Sequence, residues 1–186
     1  SGTWEERLKN VLNQIKGAFS LLLLFPDMMI AVRDGYGFRP LCMGKKGNSI
    51  VFSSESCAFD LVGAEYIREL EPGEMVIVDK KGVRSLKLDT LPSNQCIFEL
   101  IYFSRPDSMV FSQSVYEARL NMGRELAREN KIDADLVMSV PDSANVQALG
   151  YSRESGVPLE FGFIRNHYIG RTFIEPKQEI RDFRVK

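Results

Sequence analysis

Arg165, His167 and Arg171 crowd around Gly170 in the stretch R-N-H-Y-I-G-R-T-F-I-E-P, which runs from Arg165 to Pro176. Its apolar residues follow neither the spacing of a helix face nor the alternation of a half-buried strand, so it reads as a loop. Guanidinium groups make paired hydrogen bonds to phosphate oxygens, and a glycine lets the backbone come close to a ligand. The chemistry on offer is anion binding. A second candidate is V-P-D-S at Val140 to Ser143, where a predicted strand meets a predicted helix. Backbone N–H groups at such a turn seat phosphates, and Asp142 or Ser143 is equally suited to capping the helix from Ala144.

Other side chains with chemical potential are few. Cys42, Cys57 and Cys96 are widely separated and form no C-x-x-C pair, which argues against a disulfide framework and a self-contained zinc site. Cys42 and Cys57 lie in apolar surroundings and are expected to be buried packing residues. A net charge of −1 removes the footprint of a general nucleic-acid binder, so any anion site must be local. No apolar run approaches the roughly twenty residues of a membrane span, and the first segment has no signal-peptide character. The expectation is a cytoplasmic protein with no nucleic-acid or membrane partner. At 186 residues, 44% of them hydrophobic, the chain can bury one large core or two small ones.

The elements that must position these groups fall into two stretches. Thr3 to Glu6 forms a T-x-x-E capping box, and Leu8, Val11, Leu12 and Ile15 follow at helical spacing, predicting a helix to about Lys16. Short apolar or alternating runs follow at Phe19–Phe25, Met28–Val32, Ser49–Ser53, Met75–Val78 and Val83–Leu88. They read as strands, joined through the Pro26-Asp27 and Lys80-Lys81-Gly82 turns into antiparallel hairpins. Beyond Pro92 the pattern changes. Val115, Ala118, Met122 and Leu126 trace a helix through Arg128, Asp135–Val140 reads as a strand, Ala144–Ser155 as a helix closed by Gly156, and Val157–Phe161 as a second strand. Strand, helix, strand is the opening of a parallel α/β sheet.

Read with its neighbours, Phe161 to Pro176 resembles the phosphoribosyl pyrophosphate loop, K-N-R-Y-V-G-R-T-F-I-x-P, of the glutamine phosphoribosylpyrophosphate amidotransferase family. Four further blocks agree in order: R-D-G-Y-G-F-R-P-L at Arg33–Leu41, S-S-E-S-C-A-F-D at Ser53–Asp60, Y-F-S-R-P-D-S at Tyr102–Ser108, and V-P-D-S. The resemblance implies an α+β protein: residues 1–91 the later part of an N-terminal-hydrolase-type antiparallel sandwich, and 92–186 the opening α/β segment of a phosphoribosyltransferase fold. It implies an enzyme that frees ammonia from glutamine and uses it to displace pyrophosphate from phosphoribosyl pyrophosphate, giving 5-phosphoribosylamine.

Roles follow position by position. Arg171 matches the family pattern and is expected to clamp pyrophosphate; Arg165 stands where the family has lysine, and His167 where it has arginine. Asp142 and Ser143 are expected at the substrate, Ser143 in the shell of a magnesium ion. Cys96 matches the first ligand of the four-iron four-sulfur cluster that some members carry, a group this chain could serve only within a larger parent. The 5-phosphate cradle and the cysteine nucleophile of the family are not found in the sequence. The expectation is therefore an internal piece without activity of its own, with a non-catalytic folding or assembly module as the alternative. For the parent, purine nucleotides as feedback inhibitors and a homo-oligomer are implied. Arg39 is expected to pair with Glu55 or Asp60, Arg105 to Asp107 to organise the domain junction, Ser1 to be non-catalytic because it leads into a helix cap, and Asn166–Phe183 to be mobile.

Overall fold

In the computed structural model, which describes residues 2–89, 91–168, 170 and 172–185, the capping box at Thr3 is fully formed. The Glu6 amide donates to Thr3 Oγ1 at 3.2 Å and the Thr3 amide to Glu6 Oε2 at 2.8 Å, opening helix α1 (Trp4–Leu12). The helix ends earlier than its apolar spacing suggests. Gln14 and Ile15 donate to carbonyls three residues back, at Val11 and Leu12, so the last turn tightens out of α geometry. Ser1, Ile169 and Arg171 lie outside the described residues, so neither the expectation for Ser1 nor that for Arg171 meets any geometry here.

Cα proximity divides the chain into two compact units, Ser1–Asn121 and Met122–Lys186. The first is built on strands β1 (Ser20–Leu24), β2 (Met28–Arg33), β3 (Cys42–Lys46), β4 (Ser49–Ser53), β5 (Glu65–Glu69), β6 (Glu74–Asp79) and β7 (Gly82–Lys87), with helix α2 (Cys57–Val62) before β5. A four-stranded sheet runs β1-β2-β6-β7 and a three-stranded sheet β4-β3-β5, every pairing antiparallel. Both faces of β2 and β6 are covered. Ile30, Val32, Met75 and Ile77 meet Leu8 and Leu12 of α1 on one side, while Ala31 and Val76 meet Leu41, Met43 and Leu70 on the other. Burial on both faces explains why these strands read as unbroken apolar runs. The turns at Pro26-Asp27 and Lys80-Lys81 close hairpins with the registers Leu24↔Met29 and Asp79↔Gly82.

Residues 92–121 are fastened to this sandwich by hydrogen bonds. Leu91, Asn94 and Cys96 donate their amides to the carbonyls of Gly35, Tyr36 and Phe38. Glu55 Oε2 accepts from the Arg105 amide at 2.7 Å and from Ser108 Oγ at 2.8 Å. The buried guanidinium of Arg119 donates to the carbonyls of Leu100 and Ser104, spanning the π-helical turn Glu99–Phe103. A two-residue hairpin, β8 (Met109–Val110) and β9 (Gln113–Ser114), leads into helix α3 (Val115–Glu129). The compact units thus part inside α3, whereas the change of sequence character lies at Leu91–Pro92.

In the second unit, helix α4 (Asn145–Ser155) ends at Gly156, whose φ of +78° is the left-handed value a helix terminus favours. The start of α4 packs close against α3, where a Cβ at Gly123 would overlap the carbonyl oxygen of Gln147. The strand–helix–strand order is present and parallel, but the two strands shrink to one bridge, Val137↔Leu159. Two hydrogen bonds hold it, from the Val137 amide to the Pro158 carbonyl at 2.8 Å and from the Glu160 amide to the Val137 carbonyl at 2.9 Å. Pro158 has no N–H to extend the ladder. Further on come a 3₁₀ turn (Thr172–Ile174) and helix α5 (Gln178–Val185). Tyr168, Phe173 and Ile174 are exposed, so they do not anchor this segment to a preceding helix.

Candidate functional site

The turn Pro141-Asp142-Ser143-Ala144 delivers the chain into α4. Neither Asp142 nor Ser143 caps the helix: its N-cap is Ala144, which makes no side-chain cap hydrogen bond. The carbonyl of Asp142 accepts the Asn145 amide at 3.3 Å, and the Pro141–Asp142 peptide is cis. The Asp142 carboxylate turns instead to Arg165, with Nη1 to Oδ2 at 2.7 Å and side-chain exposures of 47% and 55%. Two residues singled out by the sequence, distant along the chain, thus meet in space. Ser143, half-buried, follows Asp142 in the same turn. Asn145 is held from below, its Oδ1 accepting from Ser139 Oγ at 2.6 Å.

A helix start without a side-chain cap presents amide groups and the positive end of the backbone dipole. With a guanidinium beside it, the arrangement can hold a multiply charged anion. His167 is exposed in the chain leaving Arg165, and Asn166 Oδ1 accepts the Tyr168 amide at 2.9 Å to turn it.

The cysteines divide as their surroundings dictate. Cys42 is 1% exposed, and burial, reinforced by the Glu69 carboxylate, pushes its thiol up to about 12. Cys57 is also buried, while Cys96 is half-exposed with its sulfur 3.7 Å from Arg39 Nη1. That guanidinium pairs with Glu99 at 2.9 Å and lies over the Phe103 ring, 5.0 Å from its centroid. The expected pairing of Arg39 with Glu55 or Asp60 is not formed, since Glu55 is taken by Arg105 and Ser108. Arg105 and Asp107 pair with each other at 2.7 Å within their own exposed loop. Among the described residues no three His, Cys, Asp or Glu side chains converge to hold a metal. Cys96 supplies one thiol, and an iron–sulfur cluster takes four soft donors.

A buried ionic network had no counterpart in the sequence reading. Arg33, 2% exposed, sits 3.2 Å from Glu69, donates to the carbonyls of Leu70 and Gly37, and lies over the ring of Phe111. Burial pushes the Glu69 carboxyl above its ordinary value, Arg33 and the amides of Ser112 and Phe111 pulling against it. Those amides belong to residues with φ of +61° and +53°, a turn built without glycine. Asp34, the residue after Arg33, is buried and accepts the amides of Phe19, Tyr36 and Phe38. The block R-D-G-Y-G-F-R-P-L is therefore structural, and only the juxtaposition of an arginine with an aspartate hinted at it.

Residues 2–60 match a family model described as a glutamine amidotransferase domain. Across nearly its full length the chain is 53% identical over 182 residues to the chloroplastic amidophosphoribosyltransferase 1 of Arabidopsis thaliana, covering 97% of this chain and 32% of that protein. It is 44% identical to the amidophosphoribosyltransferase of Bacillus subtilis, covering 99% of this chain and 39% of the relative. The solved glutamine phosphoribosylpyrophosphate amidotransferase of B. subtilis, complexed with ADP and GMP, superposes with a TM-score of 0.89 at 44% identity, over 100% of this chain and 41% of that one. The chain is thus similar over nearly its whole length to amidophosphoribosyltransferases, and it spans between about a third and two fifths of the length of these relatives.

Proposed function

We propose that this chain supplies the pyrophosphate-holding face of an amidophosphoribosyltransferase, which converts phosphoribosyl pyrophosphate and glutamine to 5-phosphoribosylamine, glutamate and pyrophosphate. The observation that carries this is Arg165 brought against the turn at the uncapped start of α4. In that reaction ammonia attacks the anomeric carbon, the bond from that carbon to the pyrophosphate oxygen breaks, and the electron pair leaves with pyrophosphate. Arg165 and the first turn of α4 beyond Asn145, whose own amide is held by the Asp142 carbonyl, stabilise the departing charge, with His167 and Arg171 supplied by the same loop. Bound magnesium would neutralise the same oxygens, held mainly by the substrate with the Ser143 hydroxyl as its protein ligand. The division into 1–91 and 92–186 then marks two ancestries, glutamine-handling and phosphoribosyl-handling, rather than two compact bodies.

Regulation by purine nucleotides is supported by the neighbour solved with ADP and GMP. A homo-oligomeric parent is part of the same proposal. No helix among the described residues is long and apolar enough to cross a membrane. Cytoplasmic residence is proposed by default, with a plastid as the competing location because the Arabidopsis relative is chloroplastic.

Titration of the chain with inorganic pyrophosphate, followed by amide chemical shifts, tests the site. Shifts centred on Ser143 to Val146 and on Arg165 are expected, weakened by Arg165→Gln; an unchanged spectrum at millimolar pyrophosphate refutes the assignment. In a full-length relative, Arg171→Ala should cut turnover on the order of a hundredfold with glutamine and with ammonia.

A further inference from the structure

Asp142 presents a chemical difficulty for an anion site. An ionised carboxylate only accepts hydrogen bonds, so it cannot contact a phosphate oxygen, and beside one it repels. Its place in the turn makes sense through what it does touch: its oxygen occupies Arg165 Nη1, a donor that an incoming phosphate would use. We propose that Asp142 is a placeholder for the substrate anion, holding Arg165 at the start of α4 until pyrophosphate displaces it. The inference rests on the substrate reading above. Both partners are about half exposed, which sets the strength of the hold: exposed ion pairs are weak and screened by salt. The pair is strong enough to bias where the loop's cation rests, and a polyanion carrying several charges outcompetes one carboxylate for it. Asp142 is thus a positioning residue, acting on the reaction only through Arg165.

The test is a double-mutant cycle on the intact chain with Asp142→Asn, Arg165→Gln and the two combined. Without ligand, amide exchange over residues 161–168 should rise about two- to fivefold in each single variant, the span set by an exposed pair, and no further in the double. With inorganic pyrophosphate, D142N should tighten binding by a similar factor when Arg165 is present and leave it unchanged in the R165Q background. A gain that persists in R165Q means plain charge repulsion and overturns the proposal, as does exchange that is unchanged in the singles or additive in the double. If no variant binds pyrophosphate, the substrate reading falls and the placeholder role with it, whereas lost exchange coupling with binding intact overturns the placeholder alone.

Discussion

Glu74→Gln is expected to cost the first unit about 3 kcal/mol at neutral pH and to remove much of its acid sensitivity. Glu74 is 3% exposed at the start of β6 and accepts from both terminal nitrogens of Arg68, at 2.7 Å each, from Ser85 Oγ at 2.6 Å and from the Glu71 amide at 2.8 Å. Burial alone would raise its pKa. The Arg68, Ser85 and Glu71 hydrogen bonds outweigh burial and hold the carboxyl at about 2, against an ordinary 4.5. At about 1.4 kcal/mol per pKa unit, that displacement corresponds to about 3 kcal/mol. Because the folded value is the lower one, the unfolded chain binds more protons between the two; the stabilisation is complete above pH 4.5 and is lost as pH falls toward 2. Urea unfolding followed by the fluorescence of Trp4, the sole tryptophan, reads this at a series of pH values for wild type and variant. The two curves should lie well apart at pH 7 and converge only as pH falls through about 2. Equal midpoints at neutral pH, or a constant gap on acidification, would refute the reasoning.

Three other outcomes follow from the same structure. Arg33→Met strands the Glu69 carboxylate inside the fold and should destabilise by about 3–5 kcal/mol in thermal unfolding, with Glu69→Gln in the same chain restoring part of the loss. Gly123→Ala forces α3 and α4 apart and should cost about 1–3 kcal/mol, read in amide exchange along α4. With a thiol reagent at pH 8, Cys96 should be labelled in the native protein and Cys42 only on unfolding; native labelling of Cys42 in peptide mass spectra would contradict its burial.

What the sequence made legible were features whose signal is local. T-x-x-E carried the start of α1, and the apolar runs at Met28 and Met75 carried the two central strands because both of their faces are covered. Strand β5, E-Y-I-R-E, has too few apolar residues to stand out and exists because β3 pairs with it around a bulge at Met43/Gly44. Helix α2 is too short to show a period. The Phe111-Ser112 turn lacks the glycine or asparagine that signals positive φ, its amides being held by Glu69 from a distant strand. At the site, charge and glycine pointed to the loop and the strand-to-helix turn, but which cation meets which carboxylate depends on tertiary approach and left no trace in the spacing.

The stitching of residues 91–108 to the sandwich also bears on how such a gene can be rearranged. A crossover placed at Leu91, where the composition changes, would separate the carbonyls of Tyr36 and Phe38 from their amide donors and Glu55 from Arg105 and Ser108. A hybrid joined there would inherit exposed backbone acceptors and an emptied carboxylate, defects that favour aggregation over exchange of parts. The piece of sequence that could move intact between relatives therefore runs past the change of composition at Leu91 to at least Ser108.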